Sequence, residues 1–232
     1  MGKHVGRGLF ITGTNTNIGK TYISSLLVRG LSAFGSVSYM KPVQTGCTFQ
    51  SNEICDAPDF EYVKKHANPS IVSSFTDHVP YCFQPACSPH LAATIANEKI
   101  DLNRIKASYE KIVCQVDITI VEGAGGVLVP LGNDVSIIDL INFLRIPVLL
   151  VTTPNLGTLN HTFLTITQLR NANIPIAGIV MNNCEDVPRD YIYEDNRRMI
   201  ETFSRPAPFL EVSYGAQSDE QIESFCRRIR SV

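Results

Sequence analysis

The chain lacks the features that would carry it out of the cell or into a membrane. Its most apolar stretch, Ile137 to Val151, is broken by Asp139, Asn142, Arg145 and Pro147, so it falls short of the roughly 20 apolar residues of a membrane span. The start, Met1-Gly2-Lys3-His4-Val5-Gly6, has no apolar core for a secretory leader, and Gly6 breaks the myristoylation pattern. Neither sign of charge is in excess: 20 Lys and Arg face 22 Asp and Glu, a net charge of −2. That excludes a general attraction to nucleic acid or to anionic lipid. No C-x-x-C pair is present, and the cysteines Cys47, Cys55, Cys82, Cys87, Cys114, Cys184 and Cys226 are odd in number and without zinc-site spacing. They are expected as reduced thiols of a cytoplasmic protein, most of them buried as small hydrophobes. Internal repeats and low-complexity segments are lacking too.

What is there is an ordinary globular composition. The 232 residues are 44% hydrophobic and 18% charged, enough to bury a core without staples. A single domain over 1–232 is expected. Continuous apolar runs predict strands at Leu9–Thr12, Ser36–Met40, Ile118–Glu122, Val148–Thr152 and Ile176–Met181, with a weaker sixth at Phe209–Ser213. Helical spacing predicts Lys20–Phe34, Leu102–Cys114, Ile137–Leu144, Asn160–Ala172, Arg189–Phe203 and Asp219–Arg230, and Ser88-Pro89 opens a helix through Ala96. Strands alternating with helices predict an α/β fold, a doubly wound and mostly parallel sheet with helices on both faces. Ligands then collect at the carboxyl ends of the strands. The stretch from Phe49 to Pro89 has little periodicity and is expected to run over that face.

The motifs fall at those ends. After the first strand, Gly13-Thr14-Asn15-Thr16-Asn17-Ile18-Gly19-Lys20-Thr21 fits G-x-x-x-x-G-K-T. Between a strand and a helix this pattern cradles phosphates with backbone N–H groups, with Lys20 on the β and γ oxygens and Thr21 on Mg²⁺. After the second strand comes Lys41-Pro42-Val43-Gln44-Thr45-Gly46, after the third Glu122-Gly123-Ala124-Gly125-Gly126. A strand-end carboxylate beside a phosphate loop is where nucleotide enzymes hold the metal. Taken singly, Lys41 also reads as an exposed loop residue and the glycines as a tight turn. Thr153 to His161 opens a helix whose N-terminus suits an anion. Asn182-Asn183 offers amides to a base edge, or simply a turn.

Together these pieces, with Asp56-Ala57-Pro58-Asp59, Ser88-Pro89-His90 and Val129-Pro130-Leu131, resemble the dethiobiotin synthetases, P-loop NTPase-type enzymes of biotin synthesis, from Phe10 to about Leu210. The resemblance implies a Mg²⁺-dependent reaction of ATP, CO₂ or bicarbonate and 7,8-diaminononanoate through a carbamate and a carbamic-phosphoric anhydride. It implies Lys41 as the catalytic residue and Thr21, Asp56 and Glu122 as metal ligands. Nucleotide contacts are implied for Asn17, Ile18, Gly19, Lys20, Thr21, Tyr22, Asp56, Glu122, Gly123, Ala124, Gly125, Asn182, Asn183, Ser213 and Tyr214. Substrate contacts are implied for Thr16, Lys41, Thr45, Gly125, Gly157 and Asn160, the last two from the partner subunit of a homodimer. Three places depart from the family pattern. Asn15 replaces an aspartate, Asn17 stands where some members are acidic, and Glu211-Val212-Ser213-Tyr214 replaces Gly-x-Ile-Pro.

Two other readings are open. An ATP-dependent amidase of cofactor synthesis would need a glutamine-hydrolysing domain, for which these 232 residues leave no room. A partitioning-type switch ATPase would carry a second lysine early in the loop, where this chain has Thr14.

Overall fold

In the run Leu9-Phe10-Ile11, alternate side chains leave the strand in opposite directions. Leu9 and Ile11 join one buried cluster and Phe10 another. An apolar run with no polar alternation therefore belongs to a sheet covered on both faces. The computed structural model describes residues 6–50, 53–215 and 218–230. The N-terminal segment Met1–Val5 and the Cys55 side chain lie outside the described residues. The other six cysteines are free thiols, two of them fully buried.

The elements run β1 (Arg7–Gly13), α1 (Lys20–Ser32), β2 (Val37–Met40), β3 (Val43–Thr45), β4 (Thr48–Gln50), β5 (Glu53–Asp56), α2 (Pro58–Ala67), α3 (Phe75–His78), β6 (Tyr81–Phe83) and α4 (Pro89–Ile95). They continue with α5 (Leu102–Val113), β7 (Ile118–Gly126), α6 (Ile137–Leu144), β8 (Val148–Thr152), α7 (Thr158–Asn171), β9 (Ile176–Asn182), α8 (Tyr191–Ser204), β10 (Phe209–Val212) and α9 (Asp219–Ile229). Six strands form one sheet in the order β10-β9-β8-β1-β7-β2, parallel at every step. Residues from α1, α2 and α9 cover one face; α5 and α6, then α7 and α8, cover the other. β1 lies between β7 and β8, where the order of successive strands reverses, and this opens a crevice at its carboxyl end.

The six expected strands and seven expected helices are all present, with ends shifted by at most two residues except in β7, which runs on from Glu122 to Gly126. The Phe49–Pro89 stretch holds more order than its sequence advertises. Between β4 and α4 it carries β5, α2, α3 and β6. Helix α2 opens with Pro58 at its first turn and buries Phe60, Val63 and Ala67. Phe60 sets its ring edge-on to Phe75 at 5.4 Å and beside His78 at 5.7 Å. This packing fixes the start of α2 over the end of β2. Among the described residues no helix is long and apolar enough to cross a membrane.

Candidate active site

The site is a consequence of strand register. In the β2–β7 ladder Tyr39 stands opposite Ile120 and Met40 opposite Val121. One step further, Lys41 meets Glu122. Side chains alternate, so Tyr39, Lys41 and Glu122 share the face beneath α1. Helix α1 sends down Thr21 and Ser24, one turn apart. The Glu122 carboxylate, 1% exposed, is the meeting point. Its Oε1 accepts from Thr21 Oγ1 at 2.9 Å and Lys41 Nζ at 2.8 Å. Its Oε2 accepts from Ser24 Oγ at 2.7 Å and Tyr39 Oη at 2.9 Å.

Lys41 has a second carboxylate partner. Asp59 Oδ2 lies 2.6 Å from its ammonium, and the carbonyl of Gly123 lies at 3.3 Å. Burial alone would lower the Lys41 pKa, but the charges of Glu122 and then Asp59 outweigh it and raise the pKa above the ordinary lysine value. Burial likewise opposes ionisation of Asp59, and Lys41, with help from Thr21, holds its pKa low. The Lys41 backbone is fixed too: its N–H donates to His78 O at 2.8 Å.

Asp59 is the residue that sequence reading passed over. Asp56 and Asp59 lie three apart in Asp56-Ala57-Pro58-Asp59, and the choice between them depends on where α2 begins. Pro58 starts the helix, so Asp59 projects from its first turn. Gln44 Oε1 accepts the Asp59 N–H at 3.3 Å, tying the Lys-Pro-Val-Gln-Thr-Gly turn to that helix. Asp56 ends β5, paired across from Thr48, and its charge acts on the Cys47 thiol. The signal was Pro58 itself, a residue favoured at the first helical position. Tyr39 and Ser24 carried no motif that would have flagged them.

The loop after β1 is shaped for an anion. Gly19 has φ +80°, and a Cβ there would sit 2.3 Å from Asn182 Nδ2, so both conformation and contact demand glycine. Lys20 folds back so that its ammonium donates to Asn15 O at 2.8 Å. Burial, then the nearby Lys41 charge, lowers its pKa to about 8. Asn182 Nδ2 donates to Ile18 O at 2.9 Å, bracing the loop. The Asn183 amide closes its own turn onto Val187, donating at 3.0 Å and accepting at 2.8 Å. Beyond β10, Ser213 and Tyr214 are exposed, beside Asn183, whose N–H donates to Val212 O at 2.9 Å. Tyr22 is half-buried on α1. Gly123 closes on the Phe10 ring, and Gly126 on the Gly13 carbonyl, so the β7 end lies against the phosphate loop. A Cβ on Gly125 would come 3.8 Å from Thr16 Oγ1. Thr45 ends β3, and Gly157 caps α7, which holds Asn160 in its first turn. Thr152, Thr158 and Thr162 bond through their hydroxyls at 2.7–3.4 Å beneath that cap.

The donor set suits a hard divalent cation. Two carboxylates and a hydroxyl are all oxygen, and Mg²⁺ is ordinarily held by one or two carboxylates together with phosphate and water. Among the described residues no group of three or more His, Cys, Asp or Glu could hold a metal without such help.

A family model described as an AAA domain matches residues 7–221. The ATP-dependent dethiobiotin synthetase BioD of Methanococcus vannielii is 39% identical over 84% of this chain and 88% of its own length. That of Fusobacterium nucleatum is 33% identical over 94% and 98%. A plasmid partition protein of Borrelia burgdorferi, TM-score 0.60 at 12% identity, covers 98% of this chain and 97% of its own. The MinD cell division protein of Aquifex aeolicus gives 0.55 at 10%, covering 97% and 98%. These two likenesses speak for the P-loop α/β fold alone. The match of sequence over almost the whole chain carries the assignment further: the chain belongs to the ATP-dependent dethiobiotin synthetases, ligases of biotin synthesis.

Proposed function

We propose that this site carboxylates and closes 7,8-diaminononanoate with CO₂ and ATP, giving dethiobiotin, ADP and phosphate. The observation that carries the reading is the Lys41 ammonium, buried between Glu122 and Asp59 at the mouth of the phosphate loop. One amine of the diamine adds to CO₂ and loses a proton, giving a carbamate. A carbamate oxygen attacks the γ-phosphorus and ADP leaves, giving a mixed anhydride. The second amine attacks the carbonyl carbon, phosphate leaves, and the cyclic urea is closed. Both partners in the second step are anions, so fixed positive charge must bring them together.

Lys41 supplies that charge at the carbamate and γ-phosphate, and Lys20 supplies it at the β and γ oxygens. The loop from Asn17 to Tyr22 cradles the phosphates. Mg²⁺, when bound, would supply positive charge to offset that of the phosphates. Thr21, Glu122 and Asp59 would hold it. We assign the second carboxylate to Asp59 rather than Asp56 because Asp59 is the one in contact with Lys41. Thr16, Thr45 and Gly125 line the diamine's path. Asn182 donates one of its two side-chain N–H groups to Ile18 O, which leaves the second N–H and the carbonyl oxygen to offer the base edge. Asn183, Ser213 and Tyr214 form the wall around the base. In our reading two copies share each site, the α7 N-terminus at Gly157–Asn160 receiving the substrate carboxylate bound on the partner. The enzyme works in the cytoplasm.

Phosphate release from ATP with Mg²⁺ and bicarbonate, with and without 7,8-diaminononanoate, tests this directly. Release that depends on the diamine, with dethiobiotin found by mass spectrometry, is the expected result. ATP turnover indifferent to the diamine would sink the substrate assignment.

A further inference from the structure

Glu122 has four donors, and they divide into two kinds. Thr21 and Lys41 share Oε1 and face the phosphate loop. Ser24 and Tyr39 share Oε2, and both are 0% exposed, too deep to touch any ligand. Tyr39 packs its ring against Phe60 at 6.3 Å inside the cluster formed by β2, α1 and α2. A hydroxyl in such a place is costly unless it is bonded, and here its bond is to the carboxylate. Burial, then the Glu122 charge, keeps the phenol protonated well past its ordinary range, so it serves as a donor.

We infer that Tyr39 and Ser24 are positioning residues for the metal-holding carboxylate. A carboxylate alone at a strand end can turn about its side-chain bonds and present either oxygen. Two fixed donors on Oε2 remove that freedom and leave Oε1 aimed at the site. Partners behind a metal ligand set its orientation and govern metal affinity. The sequence device is economical: Tyr39 lies two residues before Lys41 on the same strand face, and Ser24 lies one turn beyond Thr21 on the same helix face. Each residue that enters the site is followed, one repeat deeper, by a residue that holds Glu122 from behind. This inference rests on the reading of Glu122 as a magnesium ligand.

The test uses Mn²⁺ as a spectroscopic stand-in, with free Mn²⁺ read by electron paramagnetic resonance in the presence of a non-hydrolysable ATP analogue. Tyr39→Phe removes only the hydroxyl, and Ser24→Ala removes the other donor from the opposite element. Each is expected to weaken Mn²⁺ binding by about 10-fold or more, to leave metal-free analogue binding unchanged, and to recover turnover at raised metal. Combined with Glu122→Gln, Tyr39→Phe should add nothing further, because both act at one carboxylate. Unchanged Mn²⁺ affinity in both Tyr39→Phe and Ser24→Ala, with Glu122→Gln weakened, would overturn the positioning role and leave the metal site standing. Unchanged affinity in Glu122→Gln as well would overturn the metal reading itself. Equal loss of analogue binding with and without metal would make the two hydroxyls structural and would also overturn the inference. Should Tyr39→Phe not fold, Ser24→Ala decides alone.

Discussion

Two lysines guard the same end of the sheet, Lys20 after β1 and Lys41 after β2, at 7% and 4% exposure. Burial works against both charges, yet one pKa falls and the other rises. The difference lies in what each ammonium touches. Lys41 sits on two carboxylates, Glu122 and Asp59. Lys20 rests on a neutral carbonyl, Asn15 O, with Lys41 as an unfavourable neighbour. Lys41 is thus neutralised before any ligand arrives, and its geometry is set by protein. Lys20 is a cation whose best partner comes from outside. In the function proposed above, Lys41 serves a step in the reaction and Lys20 the capture of an anion.

The largest expected effect separates these roles. Lys41→Ala should lower turnover by a factor of about 10² or more while leaving nucleotide affinity largely intact, since its charge matters most where the two anions meet. It should also destabilise the fold by about 3–5 kcal/mol, because Glu122 and Asp59 lose a buried counter-charge. Steady-state kinetics, equilibrium binding of an ATP analogue and thermal unfolding read the three quantities. Near-normal turnover would remove Lys41 from the chemistry. Next in size is the pair Asp59→Asn and Asp56→Asn. Asp59→Asn should raise the Mg²⁺ needed for half-maximal rate by about 10-fold or more, whereas Asp56→Asn should leave it nearly where it was. The opposite ranking would return the second carboxylate to Asp56 and make the Asp59–Lys41 contact a feature of the ligand-free protein alone.

That pair also marks where sequence reading stopped. The phosphate loop, Lys41 and Glu122 were legible because each ends an apolar run, and an apolar run announces its own strand. Their meeting was legible too, since carboxyl ends of parallel strands converge. Asp59 was not, because the 43–89 stretch folds from short elements whose order comes from tertiary packing. Strand β6 has three residues and pairs with β3 through Val43, Gln44 and Thr45, too few for a period. Helix α2 is placed by Phe60, Val63 and Ala67, which become a face only once β2 and α1 are beneath them. Tyr39 read as a strand residue like any other. Its hydroxyl acquires meaning from Glu122, 83 positions away. The amides of Asn182 and Asn183 were visible as polar strand-end residues, but the side chains turn to the backbone of Ile18 and Val187.

The smallest effect tests the Lys20 half of the contrast. Its folded-state pKa of about 8 lies below the ordinary lysine value of 10.5. The native protein therefore binds fewer protons here than the unfolded chain. This group's penalty on folding is fully present below pH 8 and is relieved as pH rises from about 8 towards 10.5. Phosphate oxygens at the loop reverse the balance by favouring the charged form. Nucleotide binding near pH 8 should accordingly draw in about half a proton per site, and affinity should decline as pH climbs above that point. Calorimetry of ATP-analogue binding in buffers of different ionisation enthalpy measures the uptake, and Lys20→Met should abolish it. Lys41, already held in its charged form by Glu122 and Asp59, should contribute nothing in this range. Proton uptake that survives in Lys20→Met would place the titrating group elsewhere. It would mean that the two ammonium groups differ less than their partners imply.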